Sequence, residues 1–235
     1  ALAPVDFGQS TWLVFLPIAI PVLITAFSPV LLPRILRAVT CPLSRWTAWL
    51  LARRSAQHGL TQSLSIETSF VVAMGVVAGF YSMMRLMERY AMAYDLPIGS
   101  GFDLDPRLAC VMFAGPVILA AVGSCANVVL ALRVRERDAS LLEVWGATPR
   151  QVCVVSVLEA FMHVVTAGSA ALLAVVLSNV IAAHALGLGA GSAMLSVRFA
   201  PAVFIAVAGF VVLIVAELLP VLRVIRTAPV RFLNE

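Results

Sequence analysis

Five runs of this chain, residues 11–32, 64–84, 108–132, 152–186 and 197–219, are almost free of charge and long enough to cross a bilayer. A hydrocarbon core roughly 30 Å thick takes about 20 apolar residues in a helix. Inside lipid the backbone must satisfy its own hydrogen bonds, which leaves helices or closed barrels. Barrel strands alternate polar and apolar residues, whereas these runs stay apolar throughout. The predicted fold is therefore all-α: a polytopic membrane helical bundle of about five transmembrane helices. Composition agrees, with 62% hydrophobic residues, 12% charged residues and a mean hydropathy of +1.02; a soluble domain carries roughly twice that charge. A water-soluble enzyme domain, a disordered chain and a nucleic-acid binder with a broad basic face are excluded.

The net charge of +4 matters less than where the charges stand. All sixteen basic residues are arginine. Arg34, Arg37, Arg45, Arg53 and Arg54 follow the first run, Arg133, Arg135, Arg137 and Arg150 lie between the third and fourth, and Arg223, Arg226 and Arg231 close the chain. Only Arg85, Arg89, Arg107 and Arg198 fall on the other side. The positive-inside rule then predicts a multi-pass protein of the plasma or inner membrane, N-terminus outside and C-terminus cytoplasmic, with the acidic link at 95–105 facing outward. Cys41, Cys110, Cys125 and Cys153 show no CxxC or metal-type spacing and read as small hydrophobes. The chain opens without Met, which fits a processed protein or a piece of a longer one. No basic region precedes its first apolar run, so that run does not read as a signal peptide.

Local signals divide the chain into an extra N-terminal span and linker, 1–44, and a four-span module, 45–235. Pro17, Pro21, Pro29 and Pro33 are expected to kink or break the first span, most firmly near Pro29 and Pro33. Leu43, Trp46, Trp49 and Leu50 recur at helical spacing opposite arginines, which predicts a helix over 45–60 lying in the headgroup region and ended by Gly59. Gly75 and Gly79 form a small-xxx-small pair that admits a close neighbouring helix. The fourth run is too long for one straight crossing, so it either projects beyond the bilayer or bends near Gly168. Pro220 is expected to close the last span.

Three carboxylates fall in or near spans: Glu67, Glu159 and Glu217. Such a group at mid-bilayer costs roughly 2.5 to 3.5 kcal/mol and needs a partner or water. His163 lies four residues after Glu159, on the same helical face. These groups either form a polar patch that steers substrate or couples movement, or lie close enough to the cytoplasmic interface to reach headgroup water; the second is favoured. Arg85, Glu88 and Arg89 end the second span, where an i,i+3 pair and snorkelling explain them; an outward site for an amphiphile is the alternative. Gly123 and Ser124, with His163 and His184 elsewhere, give an intramembrane serine protease as a third option, although small residues in spans ordinarily pack helices.

The most specific stretch is the polar elbow at 133–151, RVRERDASLLEVWGATPRQ. Arg133, Arg135, Glu136, Arg137 and Asp138 make a mixed-charge patch, Leu141, Leu142, Val144 and Trp145 restore apolar surface, and Gly146 turns the chain. Thr148, Pro149 and Gln151 then restart a helix as N-cap, first helical residue and capping-box partner. Such a cytoplasmic helix suits docking on a soluble partner; an ordinary positive-inside loop anchored by its Trp has the same pattern. The elbow resembles the signature of FtsX/MacB-like ABC permeases, R-x-R-E-x-[DE]-x-x-L-L-x-x-x-G-A-[TS] with a Glu several residues into the next helix. The matching residues are Arg133, Arg135, Glu136, Asp138, Leu141, Leu142, Gly146, Ala147, Thr148 and Glu159. The tail at 219–233 and the stretch at 49–68 are similar to the corresponding parts of that family, so the resemblance covers about 45–235. Many members insert a large outer domain between the module's first two spans; here that link, about 91–106, is too short for one.

The resemblance implies a permease subunit that catalyses nothing itself and binds no cofactor. The elbow would be the coupling helix, seated on a separate ATP-binding subunit that holds ATP and Mg, and a second permease module, identical or different, would complete the assembly in the lipid bilayer. The cargo would be an amphiphile such as a peptide, lipid or antibiotic-like molecule, exported or extracted. The alternative is a signalling or mechanotransmitting component driven by the same kind of ATPase. No G-x-x-x-x-G-K-[ST] phosphate loop occurs in the chain, so nucleotide chemistry is expected from a partner.

Overall fold

The computed structural model describes residues 11–40, 47–58, 60–95 and 146–226, together with Gly115, Ile118, Val122 and Gly123. Among the described residues the protein is all-helical and has no strand. A 3-10 turn, Thr11–Phe15, leads into α1 (Leu16–Ala26), followed by α2 (Ser28–Thr40), α3 (Thr47–His58), α4 (Leu60–Ala93), α5 (Pro149–Ala185), α6 (Ala190–Leu195) and α7 (Ala200–Arg226). Two helices are long and apolar enough to cross a membrane, Glu67–Ala93 within α4 and Pro149–Ala185; a third span results if the bent pair α1–α2 counts as one. Ala200–Val215 is a shorter apolar helix. The third run, 108–132, lies mostly outside the described residues.

Several local expectations are corrected. The first span breaks at Phe27, where α1 and α2 meet at 85°. Pro29 stands in the first turn of α2, where its missing N–H costs nothing, and Pro33 lies inside that helix without ending it. Residues 149–185 form one uninterrupted helix, with no break at Gly168. At 1.5 Å per residue those 37 residues reach about 55 Å, well beyond a hydrocarbon core. Pro220 does not close the last span: α7 continues to Arg226, because one lost i→i−4 bond is tolerated where the flanking residues favour a helix.

The chain divides into two compact units. The first comprises Ala1–Ser28, Phe70–Ala120 and Gly168–Ala206. Here Gly79 lies against Pro17 and Gly75 against Pro21, so α1 and α4 meet in antiparallel register with a ring filling the space over each glycine. Val76 and Val77 pack with Val72, Phe80, Tyr81 and Ile205. α5 contributes a narrow face of Ala170, Ala171, Ala174 and Val175, all fully buried. The helix ends at Gly187, whose φ of +69° suits glycine. Gly187 N–H donates to His184 and Leu188 N–H to Ala183, a Schellman pattern that satisfies the last carbonyls. Ser82 ties down the segment before α7 by accepting from Arg198 N–H at 2.8 Å.

The second unit comprises Pro29–Ser69, Ala121–Ala167 and Val207–Glu235. Its described core gathers Leu36, Trp49, Ala52, Ala56, Val155 and Met162. α3 therefore turns Trp49, Ala52 and Ala56 into protein, at the i, i+3, i+7 spacing of one helical face. The sequence assigned Trp49 and Leu50 to a single lipid-facing stripe; Trp49 is buried and only Leu50, with Leu51, is exposed. The indole explains the difference, since its N–H donates to the Thr40 carbonyl at the end of α2, 3.1 Å away. Leu43 and Trp46 lie outside the described residues.

Candidate functional site: a buried carboxylate–histidine cluster

The polar groups that the second unit buries converge on one ring. α4 brings in Glu67, 1% exposed, and α5 presents His163, 3% exposed. His163 Nδ1 lies 2.5 Å from Glu67 Oε1. On the other side of the ring, Nε2 faces Glu159 Oε1 at 3.7 Å, the i,i+4 neighbour on α5. That separation lies within ion-pair range but beyond a hydrogen bond. α3 completes the row, with Ser55 Oγ–H donating to Glu159 Oε2 at 3.0 Å. Ser55, Glu159, His163 and Glu67 thus form a line from α3 through α5 to α4.

This arrangement overturns the favoured expectation for two of the three carboxylates. Glu67 and Glu159 do not extend to water as isolated interfacial acids; Glu67 is sealed in and Glu159 is partnered by Ser55 and faces His163. Sequence reasoning placed Glu159 and His163 on one face but missed the Glu67 contact, which joins residues 96 positions apart. The available signal was an acid near the start of one span and a His one face away from another acid, which suggests a partner without naming it. Glu217 falls within α7, and its side chain lies outside the described residues.

Chemically the line is suited to protons rather than metals. The two carboxylates approach opposite ring nitrogens, so no point is shared by three ligands as a metal requires. Among the described residues no cluster of three His, Cys, Asp or Glu side chains is placed to hold a metal ion. Two polar atoms in the line make no hydrogen bond among the described residues, Glu67 Oε2 and His163 Nε2. An imidazole between two acids can exchange one proton on each side by switching tautomer.

The other sequence candidates are dispersed. Arg85 and Glu88 form an exposed 2.8 Å pair on α4, and Arg89 beside them is half-buried. Gly75 and Gly79 are occupied in helix packing. Of the elbow, Arg133, Arg135, Glu136, Arg137, Asp138, Leu141, Leu142 and Trp145 lie outside the described residues, as does Ser124. Gly146 has φ +87°, the left-handed region, with nothing near its Cβ position. The capping box that follows is formed: Thr148 N–H donates to Gln151 Oε1 at 2.9 Å, and Gln151 N–H to Thr148 Oγ1 at 3.4 Å. Pro149 occupies the first helical position. Thr148→Ala is expected to cost about 1 kcal/mol at this helix start, read as faster hydrogen exchange at the amides of 150–152, while Thr148→Ser leaves exchange unchanged.

A scan against protein-family models finds no match for the chain, and searches of curated proteins and of solved structures find none either.

Proposed function

We propose that this chain is the transmembrane subunit of an ABC transporter of the FtsX/MacB-like type, pairing with a second permease module in the cell membrane. The observation that carries the proposal is the run RVRERDASLLEVWGAT at 133–148, which leads directly into a capped helix of 37 residues. A rod of that length, fixed at its first turn, transmits displacement from one end without absorbing it in a flexible joint. The elbow is the handle, with Arg133, Arg135, Glu136, Arg137 and Asp138 supplying the charged contacts and Leu141, Leu142 and Trp145 the apolar ones. A push delivered there travels up α5, and the Glu67–His163 contact passes it to α4. ATP and Mg belong to the partner subunit, and the cargo is an amphiphile exported or extracted from the bilayer.

The alternative, a signalling component driven by the same type of ATPase, shares every feature of the elbow and differs in cargo. It gains from the short link at about 91–106, which leaves no room for the outer domain with which many such permeases handle substrate. An intramembrane protease would need Ser124, so full function in Ser124→Ala excludes it. Co-purification with an ATP-binding subunit, lost when Arg135→Glu and Glu136→Arg are combined, is the expected outcome for the first two; unaltered association removes the elbow assignment. In lipid vesicles, ATPase activity stimulated by an amphiphile identifies the transporter, and unstimulated activity the signaller.

A further inference from the structure

We infer that Glu67, His163 and Glu159 form a proton-binding site in which Glu67 is the terminal acceptor and Glu159 the entrance. The inference rests on the geometry of the second unit alone, so it stands or falls independently of the permease role. Glu67 is 1% exposed and can exchange protons only through a neighbour, and His163 Nδ1 lies against its Oε1. Glu159 is the more accessible acid, with 13% of its side chain exposed. Ser55 holds one of its oxygens and leaves the other directed at His163 Nε2. Nε2 itself is buried and makes no hydrogen bond among the described residues, so the ring presents a vacant basic atom to the entrance.

The proton balance is simple. Before uptake the imidazole is neutral, and its Nδ1–H donates to the Glu67 carboxylate. A proton arriving by way of Glu159 bonds to Nε2, and the Nδ1 proton passes to Glu67 Oε1. The ring ends as the other neutral tautomer: Nε2–H faces Glu159, and Nδ1 accepts from the Glu67 hydroxyl. One proton enters, one N–H bond forms, one breaks and one O–H bond forms. The change alters the contact by which α4 and α5 meet, from an anion held by a donor to a neutral acid donating to the ring. The described groups facing the ring are Glu67 from α4, Glu159 from α5 and, through Glu159, Ser55 from α3. Arg53 lies two residues before Ser55 and so on nearly the opposite side of α3.

The full chain in lipid nanodiscs, labelled with 15N-histidine and carrying His58→Gln and His184→Gln, reports on His163 alone, since the sequence has three histidines. Acidification from about pH 8 to about pH 5, the range in which imidazole chemistry operates, is expected to move the ring proton from Nδ1 to Nε2. Infrared difference spectra over the same step should gain one protonated-carboxyl C=O band, lost in Glu67→Gln and kept in Glu88→Gln. An unchanged tautomer overturns the proposal, as does a ring protonated on both nitrogens with no carboxyl band. A carboxyl band that survives Glu67→Gln overturns the choice of acceptor. Should Glu67→Gln fail to fold, the tautomer measurement decides by itself.

Discussion

Replacing His163 with alanine is expected to destabilise the folded chain by about 3–5 kcal/mol, the cost of removing one partner from a buried charged contact. The magnitude follows from what remains. Glu67 is 1% exposed, its Oε2 already makes no hydrogen bond among the described residues, and His163 is the partner of its Oε1. A carboxylate left alone there has neither water nor a donor, and low-dielectric surroundings make that expensive. Removing both groups is a different matter, because apolar replacements of similar volume restore packing without an orphaned charge. Glu67→Leu combined with His163→Leu should therefore lose much less than the sum of Glu67→Leu and His163→Leu taken singly. Reversible unfolding in mixed micelles, followed by circular dichroism, measures all four proteins. A His163→Ala cost below about 1 kcal/mol, the range of an exposed pair, would mean that the contact is not holding α4 to α5.

The second large effect is expected at Gly79. A Cβ there would stand 3.1 Å from Pro17 Cβ and 3.3 Å from Pro17 Cα. The second of these is a backbone atom, so the neighbour cannot rotate out of the way. At Gly75 the obstacle is the Pro21 ring, at 3.0 and 3.1 Å, and a pyrrolidine has little freedom to move. Overpacking of this kind costs typically 1–3 kcal/mol, and Gly79→Leu should reach the upper end because its whole side chain points at α1. The contrast is Gly168, in the interior of α5 with nothing within 4 Å of its Cβ position. Gly168→Ala should stabilise the protein by roughly 0.5–1 kcal/mol, since alanine loses less entropy on forming a helix. The same unfolding titration separates the two glycines, and equal effects at both would remove the close α1–α4 approach from the account.

What the sequence made legible, and what it hid, follows from the range over which each determinant acts. Helix class was readable because it depends on runs of local apolar character, and the start of α5 because Thr148, Pro149 and Gln151 are adjacent. The break at Phe27 was misplaced because proline rules describe which hydrogen bonds are lost, not where tertiary packing accepts a bend. Pro29 sits harmlessly in a first turn, and Pro220 is carried within a continuing helix. Trp49 was assigned to lipid because a stripe of apolar residues looks alike whether it meets acyl chains or protein. Its N–H on the Thr40 carbonyl decides the matter, and that bond depends on the turn between α2 and α3. The Glu67–His163 contact was hidden for a related reason. Periodicity reports neighbours on one helix, so it found Glu159 and His163, whereas a partner on another helix requires the three-dimensional register.

The most direct test of the central claim, that the elbow is gripped by an ATP-driven partner, is a photo-reactive amino acid placed at Trp145 in intact membranes. The account predicts a cross-link to an ATP-binding subunit on the cytoplasmic face, weakened when Arg135→Glu and Glu136→Arg are introduced together. A probe that reacts only with lipid, or that a membrane-impermeant reagent reaches from the extracytoplasmic side, would contradict it.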